Sequence, residues 1–202
     1  MKKKILFIGD SLIKCSNLKK EDRWVSILKN RILEKNLNYK LYDKSINGIT
    51  TEELLNTSNV LKKNQKIDFL IISIGTNDSV YWKSKNGSPR TEIKKFKKNL
   101  DDLFINLKTF SIINKAILIP HLFEKKTIEI NNKTHNQNIV HYKTNLIKIA
   151  KLYNIKVINM TNLMRRYNTK NYCEDMPDGI HLNSFGSLVY SKIIFNYIIT
   201  KL

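Results

Sequence analysis

Asp68-Phe69-Leu70-Ile71-Ile72-Ser73-Ile74, followed at once by Gly75-Thr76-Asn77-Asp78, is the stretch on which the fold turns. A short apolar run without alternation, rich in Ile and closed by small polar residues, has the pattern of a strand buried on both faces. It is the most hydrophobic run of its kind in the chain and so takes the centre of a sheet. Outward from it, runs at 4–8 (Lys-Ile-Leu-Phe-Ile), 39–43, 115–119 and 155–159 read as four further strands. Segments of helical period lie between them. Residues 22–36 carry Trp24, Ile27, Leu28 and Ile32 on one face, and Thr50 stands three residues before Glu53 as a capping box for the next helix. In 91–108, Ile93, Phe96, Leu100, Leu103, Phe104 and Leu107 recur at three and four residues with lysines between them, so this helix packs on the sheet. Further helices are expected over 138–152 and, behind Asn183 as N-cap, over 184–200. Strands alternating with helices imply an α/β fold with a five-stranded parallel sheet. Two stretches, 79–90 and 121–137, remain unassigned; both follow strands and so belong at the carboxyl edge of the sheet, where open α/β folds place their ligands.

The 202 residues suit one domain, 1–202, large enough to enclose a substantial core. With 42% hydrophobic and 26% charged residues, 6 Gly and 3 Pro, the composition is that of a globular chain with little room for flexible linkers. No transmembrane segment is expected, because runs such as Ile5 to Ile8 fall far short of the roughly 20 apolar residues that a bilayer needs. Met1-Lys2-Lys3-Lys4 opens like a signal peptide, but Gly9-Asp10 ends the apolar run before an export signal could form, so the expected compartment is the cytoplasm. Cys15 and Cys173 make no disulfide framework and are expected as free thiols, Cys15 as a small buried hydrophobe.

The formal charge of +19 raises the question of a polyanionic partner. Arginine occurs only at 23, 31, 90, 165 and 166, which leaves 31 of the 36 basic residues as lysine. Proteins that read bases favour the planar fork of arginine, so no dedicated nucleic-acid partner is expected; the lysine excess fits either genomic composition or a surface suited to anionic substrates such as acidic sugars or phospholipid head groups. The four histidines have no zinc-site spacing, and neither HExxH nor CxxC occurs, so no metal is expected.

Four short elements carry chemistry. The first strand runs into Gly9-Asp10-Ser11-Leu12, which sets the Ser11 hydroxyl just beyond the strand's end. Near the other end of the chain, Asp178-Gly179-Ile180-His181 places a carboxylate and an imidazole three residues apart. Asp178 can then fix the tautomer of His181 whose other nitrogen takes a proton from Ser11. Asn77, after the central strand, offers a side-chain amide to an oxyanion, and Gly48, after the second strand, leaves room for its backbone N–H to do the same. Taken singly, each has an ordinary reading: Ser11 as a helix cap, His181 as a core histidine, Asp178 and Asn77 as turn formers. Asp10 and Asp78 are read as loop braces, and His135 and His141 as surface residues. His121, behind the fourth strand, and Tyr81 and Trp82 in 79–90 are candidate substrate contacts.

In this order, and over nearly the whole chain, these four elements resemble the SGNH/GDSL hydrolase family. The resemblance implies a flavodoxin-like three-layer α/β/α sandwich. It assigns Ser11 as nucleophile, Asp178 and His181 as its partners, and the N–H groups of Ser11 and Gly48 with the Asn77 amide as the oxyanion hole. It also implies acyl transfer without a cofactor, from a small-molecule or glycan ester such as an O-acetylated carbohydrate. The family further contains lysophospholipases and thioesterases; an acyltransferase and a binding module on the same fold are the remaining alternatives.

Overall fold

The computed structural model describes residues 2–56, 66–81, 88–126, 132–167, 170–175 and 178–200. Five strands, β1 (Lys3–Gly9), β2 (Tyr39–Asp43), β3 (Ile67–Ser73), β4 (Ile112–Ile119) and β5 (Lys156–Asn159), pair in parallel in the order β2-β1-β3-β4-β5. The central run has the interior place its composition predicts: β3 lies between β1 and β4, and its last five residues are all buried. Helices α1 (Ser11–Lys14), α2 (Trp24–Glu34), α3 (Thr51–Asn56), α4 (Ile93–Asn106), α5 (His135–Leu152), α6 (Met160–Arg166) and α7 (Ser184–Ile199) complete the order.

The strand period of two sorts the core into two layers. Ile5, Phe7, Phe69, Ile71, Ala116 and Leu118 face α2, α6 and α7, where they meet Trp24, Leu28, Met160, Tyr190 and Ile194. Their neighbours Leu6, Ile8, Leu70, Ile72, Ile117 and Ile119 face α4 and α5 through Phe96, Leu100, Phe104 and Leu146. The result is the three-layer α/β/α sandwich expected from the sequence. No helix among the described residues is long and apolar enough to cross a membrane.

Differences from the expected elements have local causes. Helix α5 begins at His135, three residues early, because Thr134 and Gln137 close a capping box in which Thr134 N–H donates to Gln137 Oε1 at 2.8 Å. Helices α1 and α6, of four and seven residues, are too short to show a period and were not expected. Strand β4 starts at Ile112, three residues before its expected start.

Strand order sets the functional edge. The chain leaves β1 for β2 at the sheet's margin, then returns past β1 to β3, so the connections after β1 and β3 part in opposite directions. A crevice opens at such a switch point, outside the carboxyl ends of the two strands. Gly9 ends β1 with φ +141°, and a Cβ there would stand 1.9 Å from the Ser73 carbonyl oxygen, so the backbones of β1 and β3 approach as only glycine allows.

Candidate active site

Ser11 opens α1, whose N-cap is Asp10. The chain thus turns sharply at the end of β1 and lifts the Ser11 hydroxyl to the sheet's edge. His181 comes from the loop before α7, and its Nε2 lies 2.9 Å from Ser11 Oγ. Its Nδ1 lies 2.8 Å from Asp178 Oδ2. The other carboxylate oxygen, Oδ1, accepts the backbone N–H groups of Ile180 and His181, each at 2.7 Å. Burial by itself raises the Asp178 carboxyl, but the N–H of His181, its ring and the N–H of Ile180 together hold it below the usual value, so Asp178 stays ionised. An ionised Asp178 requires the proton on Nδ1, which leaves Nε2 to accept from the Ser11 hydroxyl. The loop is tied down by Glu174 N–H to the His181 carbonyl at 2.7 Å and by Asn17 Nδ2 to the Leu182 carbonyl at 2.9 Å.

Gly48 and Asn77 reach the same edge through backbone ties. Ile46 N–H donates to the Gly9 carbonyl at 2.8 Å, which draws the segment after β2 against the end of β1. Asn77 Nδ2 donates to the Ile49 carbonyl at 3.1 Å and has a second N–H to give. Gly48 adopts φ +73°, and a Cβ there would meet nothing within 4 Å. What Gly48 supplies is therefore the left-handed turn, not clearance from packed atoms. Among the described residues, the N–H groups of Ser11 and Gly48 have no hydrogen-bond partner.

Asp10 and Asp78 brace loops, as read from the sequence. Asp78 accepts from Thr51 Oγ1 at 2.6 Å and from Thr51 N–H at 3.1 Å. Asp10 Oδ1 accepts from Leu12 N–H at 3.1 Å and Ser73 Oγ at 3.3 Å, while Oδ2 is buried without a partner among the described residues. Complete burial pushes the Asp10 carboxyl up from 3.8 to about 7, against the hydrogen bonds that favour its charge. The unfolded chain gives up this proton near 3.8 and the folded chain near 7. The neutral carboxyl's stabilising contribution is thus complete at low pH and declines as pH rises through about 7. Asp10→Asn keeps an acceptor for Leu12 and Ser73 and cannot titrate. Melting temperatures measured from pH 4 to 7 are expected to fall more in the wild type than in this variant; parallel curves would refute a buried, protonated Asp10.

Three sequence expectations need correction or relocation. His121 does not face the cleft: it is wholly buried. Its Nε2 donates to the Ile180 carbonyl at 2.9 Å, and its Nδ1 accepts the Tyr190 hydroxyl at 2.6 Å. Burial lowers the ring to about 3, so it is a neutral strut beneath the His181 loop and not a substrate contact. His135, expected at the surface, is buried against the Phe123 ring, with centroids 5.0 Å apart, whereas His141 is exposed. Tyr81 is half-buried and bridges Pro89. With Pro89, Glu92, Gln137 and Tyr142 it lines a cavity of about 390 Å³ whose walls include none of Ser11, Asp178 or His181. Trp82 lies outside the described residues. Cys15 and Cys173 are free and buried, and burial pushes each thiol up to about 12, so neither is a nucleophile. Among the described residues, no cluster of three or more His, Cys, Asp or Glu side chains could hold a metal ion. One polar side chain at the site gave no sequence signal: Arg90, whose Nη1 donates to the Gly48 carbonyl at 2.7 Å.

Known proteins bear on this geometry. No protein of curated function matches the chain by sequence. Among solved structures, a lipase/acylhydrolase from Enterococcus faecalis aligns with a TM-score of 0.76 at 19% identity, covering 99% of this chain and 97% of that one. The acetylxylan esterase Axe2 from Geobacillus stearothermophilus aligns at 0.75 and 18% identity, covering 97% and 94%. The psychrotrophic esterase EstA from Pseudoalteromonas sp. aligns at 0.72 and 18%, covering 98% and 97%. At these identities the likeness establishes the fold. The family model of GDSL-like lipases and acylhydrolases matches residues 5–193, nearly the whole chain. This chain therefore belongs to the GDSL-like lipase/acylhydrolase family of ester-bond hydrolases.

Proposed function

We propose that the protein is a serine esterase that releases a short acyl group, acetate above all, from a hydroxylated substrate such as an O-acetylated carbohydrate. The observation that carries this reading is the hydrogen-bonded chain from Asp178 through His181 to Ser11, with links of 2.8 and 2.9 Å. His181 Nε2 takes the Ser11 proton as Oγ attacks the ester carbonyl. Asp178 holds the resulting imidazolium without taking its proton. The carbonyl oxygen, now negative, receives the N–H groups of Ser11 and Gly48 and the second N–H of Asn77. Collapse of this intermediate expels the alcohol, which His181 protonates, and leaves an acyl ester on Ser11. Water, deprotonated by His181, then repeats the attack and frees the acid. The Ser11 proton leaves with the alcohol, the proton taken from water restores Ser11 as the acid departs, and His181 ends neutral, so one water is consumed and the enzyme is regenerated.

Acetylated sugars are favoured because two kinds of support agree. Acetylxylan esterases occur among proteins of the same fold. Between the segment that follows β3 and helix α5, Tyr81, Gln137, Asn138 and His141 line an open cavity in which an aromatic face and polar groups suit a saccharide better than an alkyl chain. The test pairs turnover with chemistry at the nucleophile. Hydrolysis is expected for p-nitrophenyl acetate and for acetylated xylo-oligosaccharides, falling steeply from acetyl to octanoyl esters. A serine-directed organophosphonate should leave one adduct, located on Ser11 by mass spectrometry. No turnover together with no adduct would refute the esterase reading, and a preference for long acyl chains would refute its substrate class.

A further inference from the structure

The strap from Ile46 to Thr51 carries Gly48, and polar contacts fix it at several points. Ile46 N–H is held by the Gly9 carbonyl, the Ile49 carbonyl by Asn77, and Thr50 N–H by Glu53 Oε2 at 2.7 Å. Thr51 N–H is held by Asp78. Gly48 itself is different. Its open side touches nothing, since a Cβ there would find no atom within 4 Å, and glycine imposes little torsional preference of its own. The Gly48 carbonyl is held by the Arg90 guanidinium, Nη1 to O at 2.7 Å. Arg90 Nη2 lies 3.5 Å from Glu53 Oε2, the same oxygen that accepts Thr50 N–H. One planar group thus holds the strap at Gly48 and pairs with Glu53 of α3, the side chain that holds the strap at Thr50, a two-pronged geometry that a lysine ammonium cannot reproduce. That the position is arginine in a chain with 31 lysines and five arginines fits this demand.

Arg90 is anchored on its own side as well. Its N–H donates to the Val80 carbonyl at 2.9 Å, Thr91 N–H donates to the Asp78 carbonyl at 3.1 Å, and Tyr81 pairs with Pro89. The guanidinium is mostly shielded, its side chain 17% exposed. The arm that reaches Gly48 therefore starts from the segment that follows Asn77, and it couples two of the three oxyanion donors.

Resting on the esterase reading above, we propose that Arg90 is a positioning residue that sets the Gly48 peptide so that its N–H stays directed at the developing oxyanion. Gly48's freedom at φ and ψ links the peptide that Arg90 grips to the one that carries the donor. Once the grip is lost, that donor swings away while the substrate's other contacts persist. The signature is a loss in kcat with little change in KM, because the oxyanion is absent from the bound ground state and develops only as Ser11 attacks. Misplacing one group by about 1 Å costs up to about a hundredfold, so Arg90→Ala is expected to lower kcat about 10- to 100-fold.

The experiment measures kcat and KM on p-nitrophenyl acetate for wild type, Arg90→Ala, Arg90→Lys and Ser11→Ala, with melting temperatures for each. Expected are a fall in kcat with KM changed by less than about threefold for Arg90→Ala, an intermediate kcat for Arg90→Lys, and recovery of Arg90→Ala by millimolar guanidinium. A misfolded protein gains nothing from guanidinium, so rescue separates positioning from general damage. Unchanged kcat in Arg90→Ala, or a loss without rescue, would overturn the inference. If Arg90→Ala does not fold, wild-type kcat in Arg90→Lys overturns it and an intermediate kcat upholds it. An active wild type with unaffected Arg90 variants sinks this inference alone. An inert wild type without an adduct on Ser11 sinks the esterase reading and takes this one with it.

Discussion

Ser11→Ala is expected to reduce kcat on p-nitrophenyl acetate by roughly six orders of magnitude, to the assay floor, while the melting temperature stays within a few degrees of wild type. The activity loss follows from the mechanism: without Oγ there is no acyl-enzyme, and His181 has nothing to activate except water in the wrong place. In serine triads, removing the nucleophile costs about as much as removing all three residues, roughly 10⁶ in kcat, because the three act as one unit. The stability claim follows from the structure. Ser11 is half-buried, its side chain serves only His181 among the described residues, and the cap of α1 is supplied by Asp10 instead. Measured by steady-state kinetics beside a thermal melt, a variant retaining more than about a hundredth of wild-type kcat would exclude Ser11 as nucleophile.

Asn77→Ala is expected to lower kcat about 10²- to 10³-fold, the usual loss on deleting one oxyanion donor. The change has a structural side. Asn77 Nδ2 also holds the Ile49 carbonyl at 3.1 Å, and that bond disappears with the amide, for about 1 kcal/mol of stability. Asn77→Asp preserves size but can donate neither to the oxyanion nor to the Ile49 carbonyl, and it places a negative charge beside both. It should be at least as inactive as the alanine variant. Steady-state kinetics on both variants is the check, and a KM effect without a kcat effect would assign Asn77 to substrate binding instead.

Much of the fold was legible because its strands are buried on both faces. Asp68 to Ile74 has almost no polar residue to compete with the strand reading, and the lysine-spaced period of 91–108 admits only a helix. Legibility failed where local chemistry is short or tertiary. Four residues of α1 make one turn, too few for a period. The true start of α5 is encoded in Thr134 and Gln137, a capping box inside the stretch 121–137 that the hydrophobic pattern leaves unassigned. The four site motifs were readable because each sits at a strand end or before the last helix. That His121 turns inward was not readable, since a polar residue beyond a strand faces the crevice or the core according to partners such as Tyr190, 69 positions away. Arg90 escaped for the same reason: its acceptor is a backbone carbonyl 42 residues upstream, which no side-chain pattern reports.

The hydrogen bond between Ser11 and His181 spans 170 positions of sequence. At ribosomal rates of about 5–20 residues per second, roughly 10 to 30 seconds separate the synthesis of the two partners. Throughout that interval the nascent chain carries a serine with no base to deprotonate it, an ordinary alcohol with little reactivity. The imidazole arrives on the loop that α7 pins down when Tyr190 and Ile194 seal the core against Trp24. On the proposed mechanism, chemical competence is thus a late acquisition of the polypeptide, since the base reaches Ser11 only when the segment before α7 has packed.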